Sequence, residues 1–190
     1  MPDDKEAGRG KQWHTLSRRL VYDSAPWLTL WEEHVRLPNG AEIPGFIVWK
    51  DRDVAMVFAV TADGQVPLVS QYRHGIGQTT LDLPAGYLDE GEDPLVAAQR
   101  ELEEETGYVG GAWRPLGALW RNSTRGNQRL FVYLAEGVRA GATPHLDETE
   151  DIDVHLVNLA ELERLAISAQ LGGISSTAVT LWGLRILGQA

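Results

Sequence analysis

The chain contains no cysteine, which removes disulfide frameworks, thiolate metal sites and cysteine nucleophiles together. Its five histidines stand at 14, 34, 74, 145 and 155, without the H-x-H or H-x-x-x-H spacing that favours a zinc site. No apolar run approaches the roughly 18 residues of a membrane span. The opening MPDDKEAGRGK also lacks the apolar stretch of a signal peptide. A cytoplasmic protein that neither spans a membrane nor docks on one is therefore the expectation. Basic charge is scarce as well: 17 Lys and Arg face 27 Asp and Glu, a net −10. Nucleic acid is a poor partner for such a surface, because that binding works by neutralising phosphates. Neither internal repeats nor low-complexity segments occur.

What is present is a chain of 190 residues with 43% hydrophobic content, enough to bury a real core and too apolar for a disordered chain. Residues 1–12 read as a loose tail, 13–50 as an N-terminal β extension and 51–190 as the main domain. In the extension, alternating and aromatic patterns at 13–22 and 27–37 precede Asn39-Gly40, a tight hairpin signal leading into 41–49. The nearly continuous apolar run at 54–60 predicts a buried strand, and Asp63-Gly64 predicts a hairpin that returns through 66–72. Further strands are expected at 113–120, 130–135 and 154–157, with helices at 159–171 and 175–187.

Acid is gathered in two places. Residues 82–105 hold nine acids against Arg100 alone, a local charge of −8, and 147–153 hold five acids and no base. Within the first cluster Asp93 reads as a helix N-cap, Pro94 as the first helical residue and Gly107 as the stop. At about 100° per residue, Glu101, Glu104 and Glu105 crowd one arc of this helix and Glu103 points away. Leu95, Ala98 and Leu102 form a buried stripe beside the carboxylates. Like charges at i, i+3 and i, i+4 weaken a helix, so stability gives no reason to collect them. A solvated acidic face is the plain reading. A hard divalent cation, which takes oxygen ligands and bridges carboxylates to phosphates, reverses the sign.

The stretch from Gly86 supplies Glu92, Arg100, Glu101, Leu102, Glu104, Glu105, Gly107 and Tyr108 at the spacing G-x5-E-x7-R-E-U-x-E-E-x-G-U, where U is a bulky apolar residue. This resembles the Nudix box. Eight constrained positions over twenty-two residues make a chance match very improbable. Tyr108 departs mildly from the usual aliphatic residue.

The resemblance implies an α+β fold, an α/β/α sandwich with a mixed β-sheet between helices, carrying the N-terminal antiparallel β extension. It implies Mg²⁺, with Mn²⁺ as a substitute, held by Glu101, Glu104, Glu105 and the Ala85 carbonyl. The implied activity is hydrolysis of a nucleoside diphosphate linked to another group. Arg100 projects beside Glu104 on the helical arc and is expected to orient a carboxylate without touching substrate.

From residue 13 to the last helix, through the β extension, LPAG at 83–86 and DETED at 147–151, the chain is similar to ADP-ribose pyrophosphatases. That likeness implies a general base on the second acidic loop, Glu148 first and Glu150 second; a solvated loop is the other reading. It also implies a nucleotide-binding role for Arg73 in Gln71-Tyr72-Arg73, the alternative being a simple strand-end cation. Residues 121–129 carry three arginines and no acid. The planar guanidinium fork suits phosphate, so Arg121 and Arg125 are candidates for a terminal phosphate or members of a solvated loop. One departure is plain: the S-P-G segment common in the subgroup is replaced by Asn122-Ser123-Thr124-Arg125-Gly126.

The expected substrate is thus ADP-ribose or a similar nucleoside diphosphate sugar, cut to a nucleoside monophosphate and a sugar phosphate. A nucleoside triphosphate or dinucleoside polyphosphate is the alternative. A non-catalytic Nudix-like binding or regulatory module is the rival class, and the complete set of box glutamates argues against it. Related enzymes pair through the extension, so a homodimer is expected.

Overall fold

The structure is a computed structural model and describes residues 11–146 and 149–188. It divides into two compact units, one running to Arg52 and including Trp120–Gln128, the other made of Asp53–Leu119 and the chain from Arg129 onward.

The first unit is an antiparallel meander of β1 (His14–Ser24), β2 (Leu28–Arg36) and β3 (Glu42–Lys50), in that order. The hairpin between β2 and β3 closes as its Asn-Gly pair demands: Gly40 takes φ 85, the Asn39 side chain accepts the Ala41 N–H at 3.0 Å, and Leu37 N–H reaches the Ala41 carbonyl at 2.8 Å. Strand β1 is exposed along almost its whole length. Residues 120–128 belong to this unit through β3, where Trp49 N–H donates to the Arg125 carbonyl at 2.9 Å.

The second unit contains, in chain order, β4 (Val54–Thr61), β5 (Gln65–Arg73), β6 (Gln78–Asp82), β7 (Ala85–Tyr87), α1 (Pro94–Thr106), β8 (Tyr108–Val109), β9 (Ala112–Trp120), β10 (Arg129–Ala140), β11 (Ile152–Asn158), α2 (Leu159–Ile167) and α3 (Ile174–Leu187). One mixed sheet runs β7-β4-β10-β8 with β9 added on β10, and a second runs β11-β5-β6. Strand β4 is its centre: it pairs parallel with β10 and antiparallel with β7, and all but its last residue is buried. Because side chains alternate along a strand, Met56, Phe58 and Val60 join Leu162, Leu165 and Val179 of α2 and α3 in one apolar cluster. Ala55, Val57 and Ala59 pack with Ala97, Ala98 and Leu102 of α1 in another. Helices thus cover both faces of the mixed sheet, and the α/β/α expectation holds.

Two local expectations change. The Asp63-Gly64 turn forms, with Gly64 at φ 79 and its N–H on the Thr61 carbonyl at 3.0 Å. The strands it joins nevertheless enter different sheets. Strand β4 already has hydrogen-bonded neighbours on both sides, so no edge is left for β5, which pairs with β6 and β11 instead. Helix α2 stops at Ile167, short of the expected 171. Ala169 turns to φ 54, and the chain then runs beside β6 through a Leu81–Leu171 bridge.

Candidate active site

Helix α1 is fixed at both ends by its own sequence. The Asp93 carboxylate accepts the Leu95 N–H at 2.8 Å and Pro94 follows as the first helical residue. At the far end Gly107 adopts φ 72 and donates its N–H to the Glu103 carbonyl at 2.8 Å. A side chain there would be doubly penalised, since a Cβ would also lie 2.5 Å from the Ala142 carbonyl oxygen.

With the helix so anchored, Glu101 and Glu105 are buried, Glu104 is half-buried and Glu103 is exposed. Glu105 accepts the Ala85 N–H at 2.9 Å, which ties the helix to LPAG. Glu101 lies against the backbone of Gly86: a Cβ there would sit 2.0 Å from its carboxyl carbon. A side chain at the first glycine of the box would therefore push the Glu101 carboxylate out of its place. Burial pushes the Glu101 carboxyl up to about 7, against the pull of Arg100 and with the charges of Glu104 and Glu150 adding to the rise. Glu105 is pushed well above the usual carboxylate range, chiefly by burial and then by Glu101; the Ala85 N–H, and more weakly Arg73, oppose this.

Arg100 is the hub of the cluster. It donates to both oxygens of Glu92 at 3.0 Å, to Glu101 at 2.8 Å, to Glu104 at 3.0 Å and to the Tyr87 carbonyl at 3.1 Å. Its hydrogen bond to Glu92 is the largest cause holding that carboxyl below its usual range. The sequence placed Arg100 beside Glu104 but missed its grip on Glu92, a fixed box position with no role assigned from the spacing alone.

The remaining candidates are distributed as follows. Arg73 ends β5, half-exposed, with Nη2 3.5 Å from Asp82. Glu150 is near enough for its charge to act on both Glu101 and Glu105. Glu148 lies outside the described residues. Arg121 and Arg125 belong to the first unit, and both already have partners there. Arg121 donates to the Gln128 side chain at 2.6 Å, while Arg125 donates to the Ile47 carbonyl at 3.0 Å and lies 4.5 Å from the Phe46 ring centre.

The donor set suits a hard divalent cation in kind: oxygen ligands only, two of them buried close enough to repel each other. Among the described residues, no three His, Cys, Asp or Glu side chains already converge at ion-holding distances.

Residues 50–175 match the model of the NUDIX domain. The chain belongs to the Nudix family. Residues 13–45 match a second model, the nucleoside diphosphate sugar hydrolase N-terminal domain. Among curated Nudix relatives, the ADP-ribose pyrophosphatase of Bacillus subtilis is 33% identical over 83% of this chain and 84% of its own length. That of Mycobacterium tuberculosis is 32% identical over 88% of this chain and 80% of its own. A solved structure described as an ADP compounds hydrolase superposes with a TM-score of 0.81 at 20% identity, covering 95% of this chain and 97% of that one; at this identity it speaks for the Nudix fold. No helix among the described residues is long and apolar enough to cross a membrane.

Proposed function

We propose that this Nudix enzyme hydrolyses the pyrophosphate bond of ADP-ribose or a similar nucleoside diphosphate sugar, releasing a nucleoside monophosphate and a sugar phosphate. The observation that carries the reading is the pair of buried, mutually repelling carboxylates on α1, set against LPAG in a chain that also matches the N-terminal domain of nucleoside diphosphate sugar hydrolases. Glu101, Glu104, Glu105 and the Ala85 carbonyl would hold Mg²⁺, with Mn²⁺ as a substitute. When bound, the ion screens phosphate charge and acidifies water.

The chain's own groups do the rest. Arg100 sets the orientation of Glu101 and Glu104. Arg73 supplies positive charge for a phosphate oxygen. Glu148, or Glu150, accepts the proton of the attacking water, a role that requires approach within about 3 Å. For Arg121 and Arg125 the proposed role rests on the phosphate chemistry of guanidinium alone. Turnover of a panel of nucleoside diphosphate sugars, triphosphates and dinucleoside polyphosphates, with and without Mg²⁺, tests the assignment. A nucleoside triphosphate preferred by tenfold in kcat/KM, about 1.4 kcal/mol, would overturn the substrate class and leave the family.

The assembly is proposed to be a homodimer of a cytoplasmic protein. Support comes from β1, where Leu16, Leu20, Val21 and Tyr22 are 40 to 52% exposed along one continuous strand. Light scattering giving a mass near 21.0 kDa would contradict it.

A further inference from the structure

Asp82 is a buried acid three residues before Ala85 that the cation site does not use. Its Oδ1 accepts the hydroxyl of Ser176 at 2.6 Å. Its Oδ2 accepts the hydroxyl of Thr80 at 2.9 Å and lies 3.5 Å from Arg73 Nη2. Ser176, in the first turn of α3, is itself 1% exposed. The connector before α3 is stitched to the same place: Gly172 N–H donates to the Leu81 carbonyl at 2.9 Å, and a Cβ on Gly172 would lie 2.3 Å from Asp82 Oδ2. Asp82 is thus held between Thr80 of β6 and Ser176 of α3.

Arg73 is the movable partner. In the β5–β6 ladder Val69 faces Asp82, Gln71 faces Thr80 and Arg73 faces Gln78. Alternation puts Arg73, Thr80 and Asp82 on one face, with Arg73 four register positions from Asp82. To reach Asp82 the guanidinium must lie back along the strand, toward LPAG and away from the open turn at 74–77.

We infer that Asp82, locked by Ser176 and Thr80, is a positioning residue that draws Arg73 back along β5 toward LPAG and so fixes the cation that meets the substrate's pyrophosphate. The inference rests on the proposed function, and it makes α3, distant in sequence, part of the substrate-binding apparatus. Asp82 acts through Arg73 and does not touch substrate.

The test is a double-mutant cycle on the full chain with saturating Mg²⁺ and a nucleoside diphosphate sugar, using Asp82→Asn, Arg73→Ala and the pair. Asparagine keeps the acceptor for Ser176 while removing the charge that attracts Arg73. Each single change is expected to raise KM about tenfold with kcat altered less than threefold. The double mutant is expected to be no worse than Arg73→Ala alone. Multiplicative effects, or Asp82→Asn acting on kcat alone, would overturn the inference, as would loss of thermal stability in place of a KM change. A second measurement does not need turnover: calorimetric titration of the metal-free protein with inorganic pyrophosphate. The same non-additive weakening supports the inference, and equal affinity of wild type and Asp82→Asn overturns it. Failure of the wild type to cleave any phosphoanhydride would instead strike the proposed function, so the two failures are distinguishable.

Discussion

Arginine–glutamate pairs occur in both units of this molecule, and two of them show how exposure changes what such a pair does. In the N-terminal meander Arg19 meets Glu32 at 3.1 Å across β1 and β2, with 67% of the arginine side chain and 36% of the glutamate exposed. On α1 Arg100 meets three glutamates and a carbonyl, with Glu92 and Glu101 side chains only 13% and 10% exposed. In the first case water already solvates both charges, so the pair adds little. In the second, Glu92 and Glu101 have lost most of their water, and removing Arg100 would leave three acids facing one another. Geometry at the level of a single pair is similar; burial decides which pair matters.

The contrast is sharpest in activity. Glu105→Gln keeps an acceptor for the Ala85 N–H while removing the buried charge. Its Mg²⁺-dependent kcat is expected to fall by at least the roughly 10–100-fold that even outer-shell partners of a metal carry, with no loss of thermal stability. Near-wild-type turnover would end the cation-site reading. Next in size is Arg100→Met, which retains the aliphatic stem. Urea unfolding should report a loss of about 3 kcal/mol, and a value under about 1 kcal/mol would place Arg100 in the same class as the exposed pairs.

A pH effect follows from the same burial. Burial pushes the Glu101 carboxyl up to about 7 in the folded protein, above the ordinary glutamate range, so the folded state holds its proton more tightly than the unfolded state. The resulting stability is fully present below about 4.5 and is lost as pH rises through about 7. Chelator-treated protein should therefore lose roughly 2–3 kcal/mol between pH 5 and pH 8, and Mg²⁺ at pH 8 should restore it. Denaturant midpoints that rise with pH across this window would contradict the assignment. Smallest is Arg19→Met, expected to change unfolding free energy by less than about 0.5 kcal/mol. A loss as large as that of Arg100→Met would erase the contrast.

How much of this was legible beforehand depends on the distance over which each feature is encoded. Helix α1 was readable to the residue because Asp93, Pro94 and Gly107 specify its ends locally. The buried run of β4 was readable as a strand for the same reason. Its partners were not: Asp63-Gly64 dictates a turn, but whether the flanking strands pair depends on β7 and β10 having taken both edges. Strand β6 carries only five residues, Gln78–Asp82, and gave no pattern long enough to notice. Asp82 was invisible as a site residue, since its partner Ser176 is 94 positions away. Arg121 and Arg125 were singled out by composition, and the carbonyl and ring that engage Arg125 on β3 left no trace near them in sequence.

The strap of residues 120–128 changes what a boundary means in this chain. The two family models meet between residues 45 and 50, which reads as a seam where one module was joined to another. Yet Trp49 lies beside Gly126 so closely that a Cβ on that glycine would be 2.6 Å from the indole nitrogen. The seam is linear only on paper. A polypeptide starting at residue 53 would emerge with its strap reaching for a β3 that is no longer there, exposing Arg125 and the Gln128 amide that bonds the Arg52 carbonyl at 2.6 Å. Exchange of the N-terminal module between relatives therefore has to carry the strap along, as a two-part graft.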